Sequence, residues 1–265
     1  SSDLQKEIEE ALPDSPSVER LVTVSGARAG WEEFHPVFEL ASDRFLRPTG
    51  EAATRSEDPM LLYFTSGTSG NPKMVMHNFA YPLGHIVTAR YWQNVVDDGL
   101  HLTVAETGWG KAVWGKLYGQ WLVGSAVFVY DMVSFVPDKL LRNVEKFRVT
   151  TFCAPPTVYR YMIRQNLAKY DLSSIRYVVT AGEALNSEVF NKIKEKTGLE
   201  LHEAYGQTEC TVLMGNFPGM PVKPGSMGKP APGYEVKVVR DDGSECGPGE
   251  KGEIVIDLSK GRPFG

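Results

Sequence analysis

A loop rich in hydroxyl groups and glycine constrains this chain more than any other stretch of its sequence. It follows the apolar residues 60–64, which come after Pro59 and are typical of a buried strand. The loop itself, residues 65–73, contains four hydroxyl side chains, two glycines and one lysine. Glycine lets a backbone approach a ligand closely, and hydroxyl, N–H and ammonium groups all donate to phosphate oxygens. The pattern therefore predicts a loop that binds a polyphosphate.

This loop is not a Walker loop. The Walker motif requires Gly-x-x-x-x-Gly-Lys followed by Ser or Thr. Counted from Gly67, Pro72 stands at the second glycine and Met74 at the hydroxyl residue that binds Mg²⁺. Proline lacks the N–H group that would face the phosphate. The alternative for this loop alone is an ordinary polar surface loop.

The bulk composition excludes several classes of partner. The chain has 265 residues, of which 42% are hydrophobic and 23% charged, and a net charge of −5. Because charges of both signs are interspersed, neither nucleic acid nor an anionic membrane is predicted as a partner. Three scattered cysteines without metal-ligand spacing, no apolar stretch long enough to span a membrane and no visible signal peptide predict a cytoplasmic protein. The sequence carries no signal for an oligomeric state.

Strand and helix patterns alternate from residue 60 onward, which predicts an α/β fold. Parallel βαβ units produce this alternation, and they bind ligands at the carboxyl ends of their strands. We expect a layered, mostly parallel sheet with flanking helices, and a small antiparallel β piece at the C-terminal end. The predicted strands are 61–64, 100–104, 126–130, 150–153, 177–180, 199–204, 236–240 and 253–258, and the predicted helices are 78–95, 112–122, 138–147, 157–168 and 187–197.

Changes in amino-acid composition along the chain predict three parts. Residues 1–58 are expected to form a partial upstream segment and a connection, and residues 59–215 the α/β core. Glycine and proline become frequent after residue 215, so residues 216–265 are expected to form an incomplete β-rich subdomain.

Two further loops follow predicted strands and carry groups suited to a nucleotide. They are Ala-Gly-Glu-Ala at 181–184 and Tyr-Gly-Gln-Thr-Glu at 205–209. Tyr205 could stack on a purine, Thr208 could bind a phosphate, and Glu209 could hold Mg²⁺. Taken singly, each has an alternative: a place in the core for Tyr205 and a solvated helix start for Glu209. With the loop at 65–73 they would share one edge of a parallel sheet, which favours a single crevice.

Taken in order and spacing, four blocks resemble the adenylate-forming, or AMP-binding, superfamily. This superfamily includes acyl-CoA synthetases, adenylation domains of peptide synthetases and firefly luciferase. Three segments are most similar to medium-chain acyl-CoA synthetases, and the resemblance covers nearly the whole chain from about residue 59. The four blocks are residues 65–73, 181–184, 205–209 and 249–254, and the three segments are residues 106–109, 154–160 and 205–209.

The resemblance implies roles for individual residues. Trp109 stands where the family has an aromatic gate to the acyl pocket. His77 would border the acyl site, with a residue at a helix start as the alternative, and Lys111 and Lys116 are interpreted as solvated. Phosphate binding is implied for Thr65, Ser66, Gly67, Thr68, Ser69, Gly70 and Lys73; adenine and α-phosphate binding for Gly182, Glu183, Ala184, Ala204, Tyr205, Gly206, Gln207 and Thr208; Mg²⁺ binding for Glu209; and catalysis for Lys73, Thr208 and Glu209.

The implied activity is that of an AMP-forming acyl-CoA synthetase, which uses ATP, Mg²⁺, CoA and a carboxylic acid. Alternatives are an adenylation domain that loads a carrier protein and a nucleotide-binding module without turnover. The family's ribose-binding Asp and its small C-terminal domain with a late catalytic Lys do not occur in this sequence. We therefore expect the 265 residues to be a truncated large domain that is inactive by itself.

Overall fold

The computed structural model of the protein describes residues 2–65, 71–106, 109–132 and 134–259. The chain divides into two compact units, Ser1–Thr54 and Arg55–Gly265. The three-part division predicted from composition stays a prediction. The first unit comprises α1 (Ser2–Ala11), a 3₁₀ turn (Leu12–Asp14), β1 (Val22–Thr23), β2 (Glu32–Glu33), α2 (Phe34–Glu39) and a second 3₁₀ turn (Gly50–Ala52), and β1 and β2 pair in parallel.

The second unit contains the remaining elements. In chain order they are β3 (Pro59–Thr65), β4 (Lys73–Asn78), α3 (Tyr81–Ile86) with a π-helical continuation (Val87–Trp92), β5 (Leu100–Thr103), α4 (Gly110–Trp114), α5 (Tyr118–Leu122), β6 (Ala126–Val127), α6 (Pro137–Lys146), β7 (Thr151–Cys153), α7 (Pro156–Met162), a 3₁₀ turn (Leu167–Lys169), β8 (Tyr177–Ala181), α8 (Ser187–Thr197), β9 (Leu201–Gly206), β10 (Val212–Gly215), β11 (Lys229–Pro230), β12 (Val236–Val239) and β13 (Glu253–Ile256).

In the part of the chain that the structure describes, seven strands form one sheet in the order β11-β10-β9-β8-β7-β5-β6. The five strands β6, β5, β7, β8 and β9 are parallel, and β10 and β11 are antiparallel additions at one side. Strands β12 and β13 form a separate antiparallel pair. The predicted α/β class, with a mostly parallel sheet and a small antiparallel piece, is confirmed.

The main core lies where helices cover the parallel strands. All three residues of β7 are buried, which is typical of a strand with both faces covered. Phe152 of β7 packs with Leu140 and Leu141 of α6 and with Tyr159 of α7. The Tyr159 hydroxyl donates to the carbonyl of Val179 in β8 at 3.0 Å. Helix packing and this hydrogen bond together hold the carboxyl ends of β7 and β8 in place.

Helix α8 has the boundaries predicted from its sequence. The Asn186 side chain accepts a hydrogen bond from the backbone N–H of Glu188 at 2.7 Å, which caps the first turn. Gly198 follows the last turn with φ of 75°, a left-handed conformation that favours glycine. Other helices differ from the prediction. The predicted helix 112–122, for example, is divided into α4 and α5.

The strand before the phosphate loop does not belong to the large sheet. The prediction that it would be one of three parallel strand ends is wrong, since β3 pairs with β4 as an antiparallel hairpin. Residues 73–78 form β4, which is not among the strands predicted from the sequence. Loop length explains this antiparallel pairing: a parallel pair needs a crossover of a dozen or more residues, and the segment between Thr65 and Lys73 is too short.

Gly228 provides a test of how tightly β11 closes onto β10. It has φ of 90°, and a Cβ there would lie 2.0 Å from the carbonyl oxygen of Gly215. Gly225 has a similar φ of 82° with nothing within 4 Å of its Cβ position, so it is a matched control. We expect Gly225→Ala to cost about 1–2 kcal/mol of unfolding free energy from backbone strain alone. Gly228→Ala should cost about 1–3 kcal/mol more, from overpacking. Urea unfolding of both variants measures the difference, and equal losses would contradict the close contact.

Candidate active site

A cavity of about 1280 Å³ lies at the carboxyl ends of the parallel strands of the second unit. Its wall is built from the segments that follow β5, β6, β7, β8 and β9, together with the end of β3. Ligand cavities in α/β sheets are expected at this edge, and a drug-sized ligand usually occupies about 300–1000 Å³. The cavity therefore has room for a nucleotide and a second small substrate.

Two of the three predicted binding loops line this cavity. Gly182 and Glu183 contribute from the loop after β8, and Tyr205, Gly206, Gln207 and Thr208 from the end of β9. Ala184 and Glu209 are exposed and are not among the lining residues, and Ala204 is buried within β9. The predicted roles of all these residues stay predictions.

The phosphate loop is described only at its two ends. Thr65 and Lys73 lie opposite each other in the hairpin, Thr65 half-buried and Lys73 exposed. The predicted phosphate ligands Ser66, Gly67, Thr68, Ser69 and Gly70 lie outside the described residues.

The end of β9 turns sharply, which fixes the direction of the Tyr205 loop. Gly206 pairs with Val212 as the chain returns in β10, and a Cβ on Gly206 would lie 2.5 Å from the carbonyl oxygen of Thr211. Only glycine fits this approach. The preceding Tyr205 is half-buried, and burial raises the pKa of its hydroxyl, so the ring stays neutral at physiological pH. Its position on the cavity wall fits a side chain that stacks on a ring.

The loop after β8 is held from two directions. From below, the buried Glu203 of β9 accepts a hydrogen bond from the backbone N–H of Leu185 at 3.0 Å. From the side, the Glu183 carboxylate accepts from the Thr157 hydroxyl at 2.8 Å and from the Arg160 guanidinium at 3.1 Å. These bonds tie the loop to β9 and to the start of α7. The backbone of residues 182–184 therefore has a defined orientation at the cavity edge.

Lys111 is buried in the cavity wall, so its interpretation as a solvated residue is wrong. Its side chain is 7% exposed, and its Nζ donates to the carbonyl of Ala181 at 2.9 Å. Lys116 also lines the cavity and is half-buried, and burial lowers the pKa of its ammonium. The available sequence signal was a lysine flanked by the apolar residues Trp109, Ala112 and Val113, which predicts a charge carried into an apolar region.

Trp109 lines the cavity, whereas His77 is not among the lining residues. Trp109 precedes the first turn of α4, is 64% exposed and lines the cavity, and its role as a gate stays a prediction. His77 lies within β4, so its alternative role at a helix start is wrong. It is 2% exposed and is not among the lining residues, and its assignment to the acyl site stays a prediction.

The described residues contain no cluster of three His, Cys, Asp or Glu side chains that could hold a metal ion. Mg²⁺ is often bound through one or two carboxylates plus substrate phosphates and waters, so a single exposed Glu209 fits such a site. In the same described ranges, no helix is long and apolar enough to cross a membrane.

A wide cavity lies at the ends of the parallel strands, with a tyrosine and a loop backbone on its wall, and this edge of the sheet is where α/β proteins bind their ligands. The chain belongs to the AMP-binding enzyme family, whose sequence model matches residues 2–259. It is 36% identical to the mitochondrial acyl-coenzyme A synthetase ACSM3 of Mus musculus over 93% of this chain and 42% of that protein. It is 37% identical to the mitochondrial acyl-coenzyme A synthetase ACSM5 of Homo sapiens over 100% of this chain and 45% of that protein.

Solved structures with a similar fold are also named as a CoA ligase or an acyl-CoA synthetase. The fold matches that of the anthranilate CoA ligase AuaEII, solved in complex with anthranoyl-AMP, with a TM-score of 0.87 and 27% identity over 99% of this chain and 50% of that one. It also matches the acyl-CoA synthetase of Brucella canis, with a TM-score of 0.85 and 26% identity over 97% of this chain and 47% of that one. The chain thus spans half or less of the length of each of these four proteins.

The relatives correct one expectation from the sequence. A cytoplasmic location is overturned, because ACSM3, ACSM4 and ACSM5 are all named as mitochondrial proteins. The expectation rested on scattered cysteines and on the N-terminal residues of the chain. A reducing environment and the absence of a visible signal do not distinguish one intracellular compartment from another, so neither observation could support the choice.

Glu203 provides a test of the support beneath the loop after β8. Burial raises the pKa of its carboxyl, so the ionised form destabilises the fold at pH values above the ordinary carboxyl range. Glu203→Gln keeps an acceptor oxygen for Leu185 without the charge. We expect its melting temperature to equal or exceed that of the wild type at pH 7. This advantage should shrink as the pH falls through the raised pKa and vanish below the ordinary carboxyl range.

Glu203→Leu is the matched contrast, because it leaves the buried Leu185 N–H without an acceptor. Relative to Glu203→Gln, which also lacks the charge, we expect a loss of about 1–3 kcal/mol of unfolding free energy at every pH. Thermal unfolding of both variants between pH 4 and pH 8 gives the measurement. Similar losses in the Gln and Leu variants would show that the carboxyl charge, and not the acceptor, is what the fold requires.

Proposed function

We propose that this chain forms the nucleotide- and acyl-binding part of an AMP-forming acyl-CoA synthetase. The observation that carries the proposal is the cavity itself. Its lining combines the loop after β8 and Tyr205 with apolar side chains and with the buried Lys111. Membership of the AMP-binding enzyme family and the names of the relatives support the same activity.

The proposed reaction has two steps. A carboxylate oxygen of the acid attacks the α-phosphorus of ATP, and pyrophosphate leaves, which produces an acyl-adenylate. The thiolate of CoA then attacks the acyl carbonyl, and AMP leaves with the electrons of the broken C–O bond. A carboxylate is already ionised at neutral pH, so the first step requires no general base. The demand on the protein is to orient the substrates and to offset negative charge on the phosphoryl oxygens.

The nucleotide side of the cavity would be shared between two loops. Tyr205 would stack on adenine, and the backbone of residues 182–184 would face the edge of the ring. Thr208 would donate to the α-phosphate, and Lys73, at the end of the hairpin, would reach the outer phosphates. Glu209 would hold Mg²⁺, which supplies positive charge next to the phosphoryl oxygens.

The acyl side has an apolar wall and a buried cation. A carboxylate drawn toward the ammonium of Lys111 would lie close to Ala181, at the carboxyl end of β8, with its apolar body along the opposite wall. The favoured substrate class is a monocarboxylic acid with an apolar chain or ring. The apolar side chains that line the cavity include Phe64, Val104, Trp109, Val129, Tyr130, Met132, Phe135, Val158, Tyr161 and Val212.

An acid panel tests this activity in the full-length protein. Straight-chain, branched and aromatic acids are supplied with Mg·ATP, and AMP release is measured with CoA or with a phosphopantetheinylated carrier protein as acceptor. We expect AMP release with CoA. Release with the carrier alone would indicate a loading domain, and ATP binding without exchange for any acid would indicate a module without turnover.

Lys73→Ala tests the hairpin lysine. A hydrogen bond from a charged group is worth about 1.5–3 kcal/mol, so we expect ATP–pyrophosphate exchange to slow by about ten- to a hundredfold. Lys192→Ala, on the exposed face of α8, is the control and should leave exchange unchanged. Equal rates in Lys73→Ala and wild type would remove Lys73 from the phosphate site.

Glu209→Gln tests the proposed Mg²⁺ ligand. The change keeps the shape of the side chain and removes its charge, so the Mg²⁺ concentration needed for half-maximal exchange should rise while the melting temperature stays the same. Glu195→Gln, an exposed acid of α8, serves as the control. A lower melting temperature with an unchanged Mg²⁺ titration would make Glu209 a structural residue.

A further inference from the structure

His77 connects two parts of the candidate site that belong to different sheets. It lies in β4, on the hairpin that carries Lys73, and its Nε2 is 2.6 Å from the backbone carbonyl oxygen of Thr208. The hairpin strands β3 and β4 form their own sheet, while Thr208 follows β9 of the large sheet. This hydrogen bond is therefore a direct link from the hairpin to the loop that carries Thr208 and Glu209.

The chemistry of the contact defines the tautomer of the ring. A carbonyl oxygen only accepts, so Nε2 of His77 must carry the hydrogen and donate it. Burial lowers the pKa of His77, which keeps the imidazole neutral near pH 7. A neutral ring with its proton on Nε2 leaves Nδ1 without a hydrogen. The ring is thus suited to hold the Thr208 peptide group and not to exchange protons with a substrate.

The ring also has a fixed orientation. It stacks on Tyr81 of α3 with 3.8 Å between the ring centroids and an interplanar angle of 16°, and Tyr63 of β3 approaches it edge-on at 6.1 Å. With 2% of its surface exposed, His77 has no freedom to turn its Nε2 away from Thr208. Tyr63 itself lines the cavity, so this aromatic group lies directly behind the cavity wall.

We infer that His77 is a positioning residue that holds the hairpin and the Thr208–Glu209 loop in one register, so that both act on the same polyphosphate. The inference rests on the proposed function. Lys73 comes from the hairpin, whereas Thr208 and Glu209 come from the end of β9. A shift between them would separate the cation from the groups that bind the other phosphate oxygens. Loss of the His77 contact should therefore weaken the binding of ligands that carry phosphates and leave the binding of adenosine unchanged.

Two substitutions separate the hydrogen bond from ring packing. His77→Phe keeps an aromatic ring against Tyr81 and removes the donor, which leaves the Thr208 carbonyl without it. His77→Gln removes the ring and keeps an N–H donor of similar reach. A role in packing predicts that Phe preserves function and Gln impairs it, and a positioning role predicts the reverse.

The experiment measures binding and exchange in the full-length protein. For His77→Phe we expect ATP–pyrophosphate exchange to fall about tenfold and Mg·ATP affinity to weaken by a similar factor, while adenosine binds as in the wild type. His77→Gln should stay within about threefold of the wild type in all three measurements. Unchanged exchange in His77→Phe, or an equal loss of adenosine and Mg·ATP affinity, would overturn the inference.

A further measurement keeps the inference testable if His77→Phe fails to fold. In wild-type protein labelled with ¹⁵N histidine, Mg·ATP should shift the Nε2 resonance of His77 and adenosine should not. A Nε2 resonance that ignores Mg·ATP would overturn the coupling. The binding comparison needs no turnover, so it separates failure of this inference from failure of the proposed activity, which the acid panel decides.

Discussion

The parallel pairing of β8 with β9 is the constraint on which the candidate site depends. Its register places Ala181 beside Ala204, so the loop that begins at Gly182 leaves the sheet next to Tyr205. Every group proposed to contact adenine comes from these two strand ends. Pairing one residue out of register would also exchange the faces of every side chain in a strand, and both strands are buried almost throughout. Burial of the sheet therefore maintains the geometry of the cavity edge.

Two buried polar side chains also stabilise the backbone of the cavity wall. Glu203 and Lys111 are both buried; the Glu203 carboxylate accepts from the backbone of the segment after β8, and the Lys111 ammonium donates to the last carbonyl of β8 itself. Buried charged groups are costly unless they are hydrogen-bonded. Lys111 donates to one carbonyl and lines an open cavity, so it can approach a ligand as well. An anionic substrate would interact most favourably with the N–H groups of Lys111 that remain available, which agrees with the carboxylic acid proposed for this site.

The hairpin of β3 and β4 is structurally separate from the large sheet. Among the described residues, its two strands pair only with each other, and Lys73 at its end is exposed. Such an element can move relative to the sheet unless a specific contact holds it, and His77 provides one at the base of the Thr208 loop. Lys73 is four residues from His77 in β4, so a rigid base and an exposed end occur in one short strand. This arrangement suits a phosphate group that must be reached and later released.

By itself, the sequence determined the elements whose signals are local. Alternating strand and helix patterns predicted the parallel α/β sheet, and Asn186 and Gly198 marked the ends of α8 because capping depends on neighbouring residues. The loops at 181–184 and 205–209 were recognisable because their groups are contiguous. Only the tertiary structure decided that β3 pairs with β4 outside the large sheet and which backbone carbonyls Lys111 and His77 contact. Lys111 meets Ala181 and His77 meets Thr208 across long stretches of chain. Hydrophobic periodicity reports which face of an element is covered, but it carries no information about which distant carbonyl that face will meet.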